Sequence, residues 1–191
     1  LLAVCGFQKS FRLSVTFPAR DEAADVERTL KSFMAIADEI VIGVDYRSKD
    51  NTAEVAARYA DKVFTITDPL GPPGEEVDNP NGVHFSHIRN RCIEQCTGNW
   101  IFMTEAHESL KPESIDYCLG LDDVPKHVGV LCVVRTGANS QWLFPWVFWN
   151  DPRIRFRNPV HNVLAYPEKE IMGADWPQVF THHFRDHGNA T

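Results

Sequence analysis

Short apolar runs alternate along this chain with amphipathic stretches, and the two have different periods. Arg12-Leu13-Ser14-Val15-Thr16-Phe17 alternates with period two and predicts a first strand, ended by Pro18-Ala19-Arg20. Over 21–35, Val26, Leu30, Phe33 and Met34 fall at helical spacing. Acids crowd the start, and Arg28 and Lys31 come later, as the helix dipole prefers. Residues 39–44 predict a second strand. The polar turn 45–52 caps a helix over 53–60, and residues 62–66 predict a third strand. The order β-α-β-α-β implies a parallel sheet with right-handed crossovers.

Residues 67–83 are rich in Pro, Gly, Asp and Asn and have no period. A loop of that length suits a functional lid, here one that borders the cleft and orders when a ligand binds. The spacing then predicts a helix over 84–97, with Ile88, Cys92, Ile93 and Cys96 facing inward and Gly98 ending it. Trp100-Ile101-Phe102-Met103 reads as a strand buried on both faces. Pro112 opens a helix over 113–119, and residues 128–134 form another buried strand. Over 141–150, Trp142, Phe144, Trp146, Phe148 and Trp149 suit either an aromatic β-segment over a cleft or plain core. No internal repeat and no linker stand out, so residues 1–191 read as one α/β domain, a mostly parallel central sheet flanked by helices.

Composition narrows the function classes. The chain has 191 residues, 43% hydrophobic and 24% charged, as soluble domains do. No apolar run is long enough to span a membrane. The net charge of −7 argues against a broad nucleic-acid surface. Five cysteines, Cys5, Cys92, Cys96, Cys118 and Cys132, lack metal-site spacing and suit buried free thiols in a reducing, cytoplasmic setting.

The candidate chemistry follows the strand 100–103. Glu105, His107 and Glu108 stand directly after it, and in open α/β sheets ligands bind outside the carboxyl ends of the strands. A turning backbone can bring Glu105 and His107 onto one cation. The same residues also suit a solvated acidic turn.

Four blocks in order resemble the family-two glycosyltransferases of the GT-A fold, in particular their small bacterial and phage-type branch. Phe17-Pro18-Ala19-Arg20-Asp21-Glu22 is similar to the family's opening strand and turn. Residues 39–45 with Ser48-Lys49-Asp50-Asn51-Thr52 resemble its DEIVIVD and S-x-DNT block. Phe85-Ser86, Arg89-Asn90 and Thr97-Gly98-Asn99-Trp100-Ile101 resemble its FS-x-x-RN and TGDWI segments. Ile154-Arg155-Phe156 with Val160-His161 resembles its late RF and VH-E segment. The resemblance covers about 13–161.

It implies a GT-A, Rossmann-like core with a small C-terminal β and loop segment over the cleft. The nucleotide-binding half is about 12–108, and the acceptor and metal-completing half about 109–191. It implies a nucleotide-diphosphate sugar donor, a UDP-sugar first and a GDP-sugar second, a hydroxyl-bearing acceptor, and transfer with inversion. It also implies a divalent cation. The family's D-A-D-E motif is Glu105-Ala106-His107-Glu108 here, so Glu105 and His107 become the expected ligands, with His182 or His183 completing the set. Imidazole suits manganese better than magnesium, and it binds only when neutral, so affinity is expected to fall as pH drops through about 6.5. Pro18, Ala19, Arg20, Glu22, Asp45, Asp50, Arg89 and Glu105 are the expected donor-binding residues. Capping explains Asp50 equally well, Glu22 can cap its helix, and Arg89 can be a solvated helix arginine. Glu108 is the first candidate base and His161 the second, although the family's following acid is Asn162 here. A degenerate sugar-nucleotide-binding module and a metal-dependent nucleotide-sugar hydrolase are the rival readings.

Overall fold

The structure, a computed structural model, describes residues 10–74, 77, 82–137 and 140–184. One eight-stranded sheet runs through it, flanked by helices. Its parallel part comprises β1 (Leu13–Ala19), β2 (Glu39–Asp45), β3 (Lys62–Ile66) and β4 (Trp100–Met103). β1 lies between β2 and β4 and pairs in parallel with both. Its alternation does not separate a wet face from a dry one. Leu13, Val15 and Phe17 are buried, and so are Ser14 and Thr16. The hydroxyls are satisfied internally: Thr16 donates to the Val41 carbonyl at 2.6 Å, and Ser14 donates to Glu39 at 2.5 Å.

The helices follow the apolar spacing but are shorter than the pattern predicts. α1 spans Val26–Phe33, because residues 21–25 are spent in a turn in which Asp21 has φ 55°. Phe33 packs edge-on against Phe102 of β4, with centroids 5.0 Å apart. α2 is Thr52–Ala56. α3 is Phe85–Ile93, and its Cys92 lies against Gly43 of β2. β5 (Glu108–Leu110) leads to α4 (Ile115–Leu119). No helix among the described residues is long and apolar enough to cross a membrane. Cys92, Cys96, Cys118 and Cys132 are free thiols; Cys5 lies outside the described residues.

The other half of the sheet is mixed. β6 (Val128–Thr136) pairs antiparallel with β7 (Gln141–Trp149), and β7 also pairs antiparallel with β4. The aromatic segment is therefore an interior strand, not a flap over the cleft: Trp146, Val147 and Phe148 are buried between β4 and β6. A small second sheet, β8 (Arg155–Arg157) with β9 (Val163–Ala165), takes the outer position instead. It is tied to α3 by two bonds between Asn90 and the Phe156 backbone, each 2.9 Å. β10 (Met172–His183) has no clear period in the sequence. It runs parallel to β6 but slips register between Trp176 and Phe180, where Pro177, Gln178 and Val179 interrupt the alternation. Its last residues then pair antiparallel with β5, setting His183 opposite Glu108.

Gly43 illustrates how tightly α3 is drawn onto the sheet. A Cβ there would lie 2.8 Å from Cys92 Sγ and 2.8 Å from the Phe64 ring. Gly43→Ala is expected to destabilise the protein by about 1–3 kcal/mol, the usual cost of overpacking a filled core, read as a lowered denaturant midpoint with unchanged slope.

Candidate active site

Two turns at the carboxyl ends of β1 and β2 are stitched together by short polar side chains. The Ser48 hydroxyl accepts from the Asp21 backbone N–H at 2.9 Å, and Asp21 accepts from the Lys49 N–H at 2.6 Å. The Thr52 hydroxyl accepts from the Glu22 N–H at 2.8 Å. Asp50 accepts from the backbone N–H groups of Ala23 and Thr52 and from the Thr52 hydroxyl. These bonds hold Pro18, Ala19 and Arg20 along one wall of a cleft of about 230 Å³. Asp45 stands on that cleft, with Glu22, Arg89, Glu105 and His107 among its other lining residues.

Glu105 is the hub. Its Oε1 accepts from Arg89 Nη2 at 2.9 Å and its Oε2 from Arg135 Nη2 at 2.5 Å; His107 Nε2 lies 3.2 Å from Oε2. The other face of the His107 ring looks to Glu22, with Nδ1 3.6 Å from Oε1. His183 stacks edge-on against His107, with centroids 4.5 Å apart. Ligand atoms of Glu105, His107 and His183 all lie within 4.8 Å of one another. The trio offers one carboxylate oxygen and two imidazole nitrogens, a donor set that fits a manganese-like cation.

Electrostatics set the protonation of this group. Burial opposes the Glu105 charge, but the bond from His107 and the charges of Arg89 and Arg135 overcome it and hold the carboxyl far below its usual range. Burial likewise opposes the His107 cation; Glu105 and Glu22 outweigh it and raise the imidazole to about 9. A cation taken up by His107 would have to displace a proton from it at neutral pH, which would move the expected threshold above 6.5.

The candidate residues divide accordingly. Glu105, His107, Glu22, Arg89, Asp45 and the 18–20 turn come together on the cleft. Of the two candidate third ligands, His183 joins the cluster. His182, one residue away on β10, points to the other side and lies 3.3 Å from the Thr136 hydroxyl. Glu108 does not reach the cleft: it has no exposed surface, Arg135 Nε lies 2.6 Å from it, and Thr104 and Thr181 donate to it. Burial and the nearby Glu105 charge push its carboxyl up. Asp50 is turned to bracing the two turns, as its capping role suggested. Burial opposes its charge, and bonds from Thr52 and Ala23 still lower its carboxyl. Arg89 is not a solvated helix residue; it is buried, bonding Glu105 and, at 2.9 Å, Asn162 Oδ1. His161 has φ 51° and lines a second cavity on the far side of the Arg89–Glu105 pair.

Asp45 is itself already engaged. Burial works against its charge, but Arg47 grips both oxygens, with Nη2 at 2.6 Å and Nε at 3.0 Å, and keeps the carboxyl low. Arg47 and Arg135 were not singled out in the sequence. Arg135 had a signal, a lone charge at the carboxyl end of the apolar run 128–134. Of the loop expected to close the cleft, Val83 lines it, and residues 75, 76 and 78–81 lie outside the described residues, as does His187.

Known proteins share this architecture. The family model described as Glycosyl transferase family 2 matches residues 14–173. A TPR repeat-containing protein of Synechococcus elongatus is 26% identical over 156 residues, which is 80% of this chain and 35% of the relative. This chain thus spans about a third of that curated relative. The mannosyltransferase PcManGT from Pyrobaculum calidifontis, solved with GDP-Man and Mn2+, has a TM-score of 0.64 at 15% identity. The similarity covers 93% of this chain and 58% of that one. S. aureus TarS has a TM-score of 0.59 at 15% identity, over 88% and 36% of the respective chains. At such identities the solved structures share the fold.

The His107 ion pair carries a pH signature. Its imidazole is raised from 6.5 to about 9 on folding, so the stabilisation is complete below 6.5 and is lost as pH rises through about 9. Metal-free protein is expected to lose no more than about 3 kcal/mol over that window, and His107→Ala to flatten the profile. Denaturant unfolding at stepped pH reads this. A His107→Ala profile as steep as the parent's assigns the dependence to another group.

Proposed function

The chain belongs to glycosyl transferase family 2, and from that premise we propose that it transfers a sugar from a nucleotide-diphosphate donor to a hydroxyl-bearing acceptor. The observation that carries the reading is the gathering of Glu105, His107 and His183, the first two of which line a cleft together with the 18–20 turn and Asp45. Residues 12–108 supply the donor half. Residues 109–191 supply His183, Arg135 and the second cavity, and serve as the acceptor and metal-completing half. Glu105, His107 and His183 would hold a divalent cation, manganese rather than magnesium, which would supply charge to stabilise the departing diphosphate.

The chain's own residues do the rest. Asp45 takes the ribose or base through oxygen lone pairs not used by Arg47, and Arg20 faces the phosphates. His161, across the Arg89–Glu105 pair, accepts the proton of the acceptor hydroxyl. That oxygen forms its bond to the anomeric carbon as the bond to the diphosphate breaks, and the diphosphate leaves with the electron pair. A base on one side and a leaving group on the other give inversion.

Binding and turnover test this separately. Thermal shifts with UDP and GDP, each with and without manganese, are expected to show metal-dependent stabilisation by at least one of them; no shift with either removes the donor reading. Turnover without an acceptor identifies a hydrolase, and binding without turnover a sugar-nucleotide-binding module. His183→Ala is expected to weaken manganese binding by about tenfold or more, the scale of a lost ligand set by its partners, and His182→Ala to leave it unchanged. Equal effects would falsify the ligand assignment. Asp45→Ala is expected to weaken nucleotide binding by about 1–3 kcal/mol, with folding checked in parallel. His161→Ala is expected to slow turnover by roughly 10²–10⁴ while nucleotide affinity holds.

A further inference from the structure

Glu105 already faces Arg89, Arg135 and His107, and a divalent ion would bring further positive charge to the same carboxylate. Arg135 bears directly on such an ion, because it shares Glu105 Oε2 with His107. On its other side Arg135 meets Glu108, with Nε 2.6 Å from Oε1. We propose that Glu108 is a positioning residue for the cation site: it neutralises Arg135 from behind, so that the Glu105 carboxylate is left to hold the metal. The inference rests on the glycosyl-transfer reading and its cation. It adds a residue that acts on the site without touching it.

Packing alone does not call for an acid at position 108. The side chain has no exposed surface, and a carboxylate taken out of water is costly unless it is paired. Thr104 donates to Oε2 at 3.1 Å and Thr181 to Oε1 at 3.3 Å. Those hydroxyls can accept as well as donate, so they would suit a glutamine amide equally. What an acid adds is charge, and the cation in contact with it is Arg135. The arginine is 8% exposed and lies between two carboxylates, Glu105 and Glu108. Without Glu108 its charge would fall undivided on Glu105 Oε2 and on any ion beside it. So little solvent surrounds the pair that salt screens it weakly.

The backbone at 108 does a separate job. Its N–H donates to the Glu105 carbonyl at 3.1 Å, and its pairing across β5 and β10 sets His183 opposite. A change of side chain leaves both in place. The charge of Glu108 can therefore be removed while the backbone that places Glu105 and His183 is kept.

Manganese binding, read by electron paramagnetic resonance of the free ion, tests this on the full chain at pH 8, above the value of about 7 to which Glu108 is pushed. Glu108→Gln is expected to weaken manganese binding by about tenfold or more, the scale for a group that supports a metal ligand from outside. In an Arg135→Met background the same change is expected to alter affinity by less than about twofold, since two residues that act through one contact do not add. Equal weakening in both backgrounds makes Glu108 a structural residue and overturns the proposal. Parent-like affinity of Glu108→Gln overturns it too. Should Glu108→Gln fold only together with Arg135→Met, the double variant is compared with Arg135→Met alone: equal affinities support the proposal, and a tenfold gap overturns it. Failure of the parent protein to bind manganese, alone or with UDP or GDP, instead overturns the cation reading, and this assignment with it.

Discussion

Glu105, half-buried, is held as an anion by the three cationic groups that surround it. Arg89 comes from α3, Arg135 from the end of β6, and His107 from the turn after β4. Removing a carboxylate from water costs several kcal/mol, and an ion pair recovers this only with well-aligned partners. The arrangement therefore constrains three separate elements at once. It fixes where α3 docks, how far β6 extends past the core, and which way the 104–107 turn faces. Glu108 extends the chain of charges inward, anchoring Arg135 from behind. A residue that looks like a base in sequence is here the support for an arginine.

The cleft depends on a second, weaker framework of neutral and charge-assisted hydrogen bonds. Asp21, Ser48, Asp50 and Thr52 bind the turns after β1 and β2 to each other rather than to solvent. Each bond contributes only about 1 kcal/mol net, but together they leave Pro18-Ala19-Arg20 little freedom. The polar turn thus keeps Asp45 and Arg20 on one wall without either being part of the bracing. Asp50 belongs to the frame for the same reason it seemed a ligand: both roles call for a short acid at a strand's carboxyl end.

Much of the fold was legible because its signals are local. The runs 12–17, 39–44, 62–66 and 100–103 became β1 to β4, and the helical spacing of Val26, Leu30 and Phe33 became α1. The later half was harder. Pro177 and the register slip beside it hide β10 from any periodic reading, and β7 suits either a flap or plain core until β4 and β6 close on both its edges. Helix ends were overrun because the turn at 21–25 is held by partners 27 to 30 residues away, which no local pattern contains.

By itself the sequence determined a parallel β-α-β-α-β core, a glycosyltransferase-like order of motifs, and the pairing of Glu105 with His107 after a buried strand. These follow from side-chain period and short spacings, which the chain carries wherever it folds. Only the tertiary structure decided the rest. It set His183, not His182, beside Glu105 and His107, because register with β5 fixes which side of β10 turns toward them. It withdrew Glu108 from the surface, brought Arg135 to Glu105, and raised His107 to about 9 by setting it between two carboxylates. Each of these depends on distance between residues far apart in the chain, and both burial and charge act through that distance.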